Sequence, residues 1–255
     1  MPKQLTQQIG SLLFVAGFIL FTLPGGFALY LYLSSPDEKD ITISTTPNLM
    51  LPPASANGSN SLYPGHHLPV RQWANPRETF PLPQLSGDPF APLNSKTQPV
   101  IHGSEGRALF LQIPELSLAA EVIELELANL GQSLEYETPK FTVGHIPATP
   151  NPGSRGSGWY FGHLDNPIGG EGNVFSKLPQ IAEMLKTGDD VHIVLVTDRY
   201  EYLYSAYKTS LIKESDLQLT NSNNAEVVLV TCFPRLTYEK RLLVHAELIG
   251  VRKKI

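Results

Sequence analysis

Cys232, the only cysteine among 255 residues, follows a β-branched run, Val227-Val-Leu-Val-Thr231, and Arg241 precedes a second apolar run, Leu242 to Ile249. Between them, Phe233 to Lys240 holds a proline, charges and a tyrosine, the composition of an exposed connection. Read as an antiparallel hairpin, the two runs set a thiol and a guanidinium near one another at one edge of a sheet. A fixed cation stabilises thiolate over thiol, so the chemistry on offer is nucleophilic attack by sulfur. A lone cysteine at a strand end is more often a small buried hydrophobe. Its strand-terminal position, its cationic neighbour and the extracytoplasmic setting expected below weigh against that reading.

A thiol nucleophile needs a proton-transfer partner. Of seven histidines, His66, His67 and His102 fall in or beside a proline-rich segment, and His192 and His245 fall within strand patterns, where packing or surface roles are the default. His145 and His163 remain, each preceded by glycine at the end of a strand pattern. No HExxH, paired CxxC or EF-hand loop is present, so no metal and no cofactor is expected.

The elements that must position these residues are mostly strands. Leu109 to Pro114, Leu116 to Ile123, Phe141 to Ile146, Trp159 to His163, Asp190 to Thr197 and Arg199 to Tyr207 all read as strands, with a short helix over Ile181 to Lys186. Tyr200, Tyr202 and Tyr204 share one face of a period-2 pattern. Short strands at this spacing predict an all-β barrel or sandwich with one or two short helices. A net charge of −5 makes nucleic acid an unexpected partner.

Upstream, residues 9–33 are apolar and uncharged, long enough to span a bilayer, which takes about 20 residues, and longer than the h-region of a signal peptide. Lys3 lies before this stretch and mostly acidic residues, Asp37 to Asp40, lie after it. The N-terminus, residues 1–8, is therefore expected in the cytoplasm and the rest outside, a single-pass protein of the cell membrane. Residues 34–106 carry recurrent prolines among polar residues and are expected to be a largely disordered extracytoplasmic linker before a folded domain over 107–255.

Val-Thr-Cys followed nine residues later by Arg, with Arg-Leu-Leu-Val continuing as a strand, resembles the signature of the sortases, membrane-anchored cysteine transpeptidases of bacterial surfaces. Their Thr-Leu-X-Thr-Cys motif stands here as Val228-Leu229-Val230-Thr231-Cys232, with valine for the first threonine. Other landmarks match in order, among them Gly144-His145, Pro152-Gly153, Gly162-His163 and Gly188-Asp189. Ser157 departs from the asparagine that many members carry there.

The resemblance implies an eight-stranded sortase-like β-barrel over Leu109 to Ile249, with Cys232 as nucleophile, His163 as the catalytic histidine and Arg241 as the clamp on the substrate. It also implies surface proteins with a C-terminal LPXTG-like sorting signal as substrates, and a cell-surface amine, in a wall peptide or a pilin lysine, as acceptor. Some members respond to calcium, but no residue set here identifies such a site. Asp88-Pro89-Phe90 resembles the lid over the active site of pilin-polymerising sortases; the alternative is a chance tripeptide. Two other readings remain open: a non-catalytic membrane-tethered β-domain, or another cell-wall cysteine enzyme such as an L,D-transpeptidase, whose Ser/His-Gly-Cys core is lacking.

Overall fold

The computed structural model describes residues 26, 41–47, 90–92, 106–125, 127–129, 134–136, 138–165, 172–235 and 237–254. The apolar stretch 9–33 lies outside the described residues, Gly26 excepted, and among the described residues no helix is long and apolar enough to cross a membrane.

Eight strands form the body of the protein: β1 (Phe110–Ile113), β2 (Leu118–Glu124), β3 (Val143–His145), β4 (Gly156–Phe161), β5 (His192–Val196), β6 (Tyr200–Lys213), β7 (Ala225–Phe233) and β8 (Lys240–Lys253). Their order is β6-β5-β1-β2-β3-β4-β7-β8, and β8 pairs back onto β6, so the sheet closes into a barrel. The expected eight-stranded, mostly β architecture is what the chain adopts. The expected helix is α1 (Gln180–Thr187), which buries Ile181, Ala182 and Leu185 and ends at Gly188 with φ 87°, a conformation glycine adopts without strain.

Alternation decides which side chains fill the barrel. Val227 and Leu229 on β7, Val244 and Ala246 on β8, and Tyr202 and Tyr204 on β6 belong to one interior core with Leu111, Ile113 and Phe175. The opposite face of β4, β7 and β8 carries a second apolar cluster of Trp159, Val228, Val230 and Leu243, against which Ile212 and Leu217 pack. Trp159 Nε1 donates to the Thr220 carbonyl at 3.1 Å, which pins the β6–β7 connection to this outer face.

Sequence patterning places the end of the strand after Arg199 at Tyr207, but β6 runs on to Lys213. The stretch from Leu211 to Leu219 reads as a link to the final hairpin, yet the backbone from Lys208 to Lys213 is paired with β8. β6 and β8 each have 14 residues, whereas β5 has five and β7 nine. The long strands therefore overhang their neighbours and expose backbone donors and acceptors that need partners.

Two pieces of the segment expected to be a disordered linker meet that need. Ile43–Ser44 pairs with Thr209 and Lys208 on β6, and Ala91–Pro92 pairs with Val251 and Gly250 on β8. Ile41 is 1% exposed within the interior core, and Thr209 Oγ1 donates to its carbonyl. Burying an isoleucine side chain stabilises by about 1.5–3 kcal/mol, enough to hold a short strand in place.

Phe90 is 6% exposed among Val194, Val196, Leu203 and Ile249, with the Arg252 guanidinium 4.1 Å from its ring centroid. Arg252 Nε in turn donates to Glu201 at 2.5 Å. Gly250 and Val251 lie at the far end of β8 from Arg241, so Phe90 is not a cover over Cys232. The aromatic finds its apolar niche at the opposite end of the barrel. Asp88 and Pro89 of that tripeptide lie outside the described residues.

At that far end the outer face of β4, β7 and β8 turns polar. Glu226 accepts from Ser157 Oγ and Tyr207 Oη at 2.5 Å each and lies 3.0 Å from His245 Nδ1. Burial alone would push its carboxyl up, but the bonds from His245, Ser157 and Tyr207 outweigh burial and hold it below its ordinary value.

Two outcomes follow. Phe90→Ala is expected to cost about 3 kcal/mol in urea denaturation, the scale for emptying a buried aromatic site, while the alkylation rate of Cys232 in native buffer stays unchanged. Faster alkylation in that variant would restore the lid. For Glu226, a depressed carboxyl contributes stability above its unfolded-state value near 4.5 and loses it as pH falls through the lower folded value. The stability advantage of wild type over Glu226→Gln, followed as Tm against pH, should therefore be full at neutral pH and shrink below pH 4.5.

Candidate active site

The outer face of β7 and β8 can be read rung by rung from its register: Glu226 faces Glu247, Val228 faces His245, Val230 faces Leu243 and Cys232 faces Arg241. Cys232 shares the face of Val228 and Val230, the one turned away from the barrel interior, and is half-buried. Arg241 stands on the adjacent strand at the same level. The hairpin expected from the sequence thus sets thiol and guanidinium in directly opposed positions.

β4 runs parallel to β7, with Trp159 level with Val228 and Phe161 level with Val230. Gly162 N–H donates to the Val230 carbonyl at 3.1 Å, so His163 follows at the level where β7 reaches Thr231 and Cys232. Parallel neighbours deliver their C-terminal ends to one edge, and here those ends carry the thiol and the imidazole. Gly162 is required at the bend: a Cβ there would meet the Phe175 ring at 2.6 Å. Phe175 N–H donates to the His163 carbonyl at 2.9 Å and fixes the backbone from below.

His163 Nε2 lies 3.2 Å from the Thr138 carbonyl oxygen. A carbonyl only accepts, so Nε2 is the donor in that contact.

His145, the other histidine left open by the sequence, occupies a different environment. It is fully buried on β3, on the same face as Val143 of the interior core, and stacks on Tyr160 with centroids 4.7 Å apart. Its Nδ1 lies 3.0 Å from Glu124 Oε1 and its Nε2 lies 3.2 Å from Thr149 Oγ1. His192 pairs with Glu115 at 2.7 Å and His245 with Glu226, so both serve hydrogen bonding on the barrel surface. Among the described residues no group of acidic, cysteine and histidine side chains is arranged to hold a metal ion.

The edge is braced by residues that sequence reasoning missed. Arg241 Nη1 donates to the Tyr238 carbonyl at 2.9 Å and to the Lys240 carbonyl at 3.1 Å, and Nη2 forms an ion pair with Glu214. Tyr238 Oη donates to Asp165 at 3.1 Å, and Arg235 Nε pairs with the other oxygen of that carboxylate at 2.8 Å. Asp165 stands two residues beyond His163. One chain of bonds therefore runs from the candidate guanidinium through the β7–β8 connection to the segment that carries the candidate imidazole. The only local hint was chemical: an aspartate just after His163, and an arginine and tyrosine between Cys232 and Arg241.

Chemically, this edge offers a thiol directly opposite an arginine on the neighbouring strand and an imidazole at the same level, held on the buried apolar cluster of Val228, Val230 and Trp159. That combination suits nucleophilic attack by the thiol on a carbonyl.

A sortase-domain family model matches residues 111–249, more than half of the chain. Similar solved structures include sortase C-3 from Streptococcus pneumoniae, at 25% identity over 60% of this chain and 67% of that one, TM-score 0.45. A sortase D5 transpeptidase from Clostridium perfringens shares 25% identity over 57% of this chain and 80% of its own, TM-score 0.41. Sortase C1 from Streptococcus agalactiae shares 20% over 62% and 77%, TM-score 0.43. A search of curated protein sequences finds no match. With the motif around Cys232 lying inside the matched span, the chain belongs to the sortase family.

Proposed function

We propose that this protein is a membrane-anchored cysteine transpeptidase that cleaves a sorting-signal peptide of surface proteins and transfers it to a cell-surface amine. The observation that carries the reading is the rung Cys232–Arg241 at the C-terminal end of β7, level with His163 at the end of the parallel strand β4.

The Cys232 thiolate attacks the scissile carbonyl, forming a C–S bond and a tetrahedral oxyanion. Arg241 stands beside the nucleophile and donates to that oxygen or to a neighbouring peptide carbonyl. As the C–N bond breaks, protonated His163 gives its proton to the leaving amine, and a thioester remains. An incoming amine attacks the thioester, surrenders its proton to His163 and expels Cys232 as thiolate. An LPXTG-like signal and an amine from a wall peptide or a pilin lysine are the substrate and acceptor that this reading assigns. The apolar stretch 9–33 is assigned as the single-pass anchor, with the barrel outside the cell membrane.

Incubation of purified protein with a sorting-signal peptide should give a thioacyl adduct on Cys232 by mass spectrometry, and Cys232→Ala should abolish both adduct and transfer. Turnover by the alanine variant would sink the mechanism. His163→Ala and Arg241→Ala should each lower kcat/KM by at least about 10²-fold, the scale for losing an acid–base group or an oxyanion donor. Near-normal rates for His163→Ala together with inactivity of His145→Ala would transfer the role to His145. Glu214 is 65% exposed, so its ion pair with Arg241 is screened by water. Glu214→Ala should lower kcat/KM by no more than about fivefold, because an exposed pair contributes about 0–1 kcal/mol.

A further inference from the structure

The direction of the short docking strand has a consequence for where the active site works. Ile43 pairs with Thr209 and Ser44 with Lys208, while Thr45 N–H donates to the Tyr207 carbonyl. Followed backwards from Thr45 to Ile41, the chain therefore moves along β6 toward Lys213. On β8 that direction leads to Arg241, which is level with Ile212, and Arg241 is level with Cys232 on β7. The chain leading to residues 9–33 thus leaves the barrel at the end that carries the thiol. Strand spacing puts Cys232 within about 20 Å of the docking segment: three strands across at about 4.8 Å each, and three residues along.

The docking strand also shortens the tether. Ile41 is anchored in the core, so only seven residues, Ser34–Asp40, separate it in sequence from the apolar stretch. Seven residues reach about 25 Å when fully extended. A tether running from 34 to 106 would instead let the domain roam about 45 Å on a root-mean-square basis. Residues 46–89 connect two points that are both fixed to the barrel, at Thr45 and Phe90, and add nothing to the reach.

We infer that the Cys232 edge of the barrel faces the bilayer and is held within a few nanometres of it. This rests on the anchor reading of residues 9–33 and is independent of the catalytic chemistry.

The test uses the full chain carrying Cys232→Ala, so that one introduced thiol takes the donor dye, reconstituted in phosphatidylcholine liposomes with an acceptor on the lipid headgroup. Glu239→Cys labels the exposed β7–β8 connection beside the site, and Asp198→Cys labels the exposed β5–β6 turn. The 14 residues of β6 separate these two ends by about 43 Å along the strand. Energy transfer to the headgroups should be higher from position 239 than from 198. Inserting about 20 Gly/Ser residues between Pro36 and Asp37 should collapse that difference. If the protein floats with the liposomes but transfer is equal or reversed, the orientation is overturned and the anchor stands. Failure to float with the liposomes would overturn the anchor reading and this inference with it.

Discussion

The ladder between β6 and β8 is the interaction on which the rest of the structure depends. It pairs Tyr200 with Lys253 at one end and Lys213 with Lys240 at the other, and it turns an open sheet into a closed barrel. Closure removes the two long edges that would otherwise be exposed to solvent or to other chains. It also fixes β8 from behind while β7 reads it from the front, and a one-residue slip of β8 would turn Arg241 away from the face of Cys232. The overhang that this ladder leaves beyond β5 and β7 is where residues 41–47 and 90–92 find their partners. The chemistry at one edge and the attachment of the N-terminal segments thus share one structural cause.

The outer face of β4, β7 and β8 grades from a hydrogen-bonded polar end to the end that carries the candidate site. Glu226, Ser157, Tyr207 and His245 lock the far end, where a buried carboxylate is tolerable because it accepts several bonds. Apolar rungs follow, and the C-terminal ends of two parallel strands carry Cys232 and His163. A rigid sheet with its chemistry at the strand ends and its variation in the connections is a common division of labour. Here the connections are also cross-tied, since Asp165, Arg235 and Tyr238 join the segment after His163 to the one between Cys232 and Arg241. That bracing matters because acid–base and oxyanion groups act only when held close to their productive geometry.

Much of this was legible in the sequence. A β-branched run ending in cysteine and an apolar run opening with arginine, separated by a turn-like connection, specify a hairpin with its chemistry at the mouth, because strand alternation and turn composition are local properties. The same holds for most strand positions and for α1. The tertiary structure decided what local pattern cannot carry. Both His145 and His163 follow a glycine at a strand end. Only the pairing of β4 with β7, across 69 residues between Ser157 and Glu226, sets His163 at the level of Cys232 and leaves His145 on the interior face. Leu211 to Leu219 read as a link, because no local pattern shows that β8 pairs with the backbone of Leu211 to Lys213. Ile41 and Phe90 sit in proline-rich, aperiodic sequence, and nothing nearby shows that overhanging strands will bury them. Composition along the chain shows which segments can form strands and that Cys232 is its single thiol. The partners that complete each strand edge come from distant residues, and only the closed barrel brings them together.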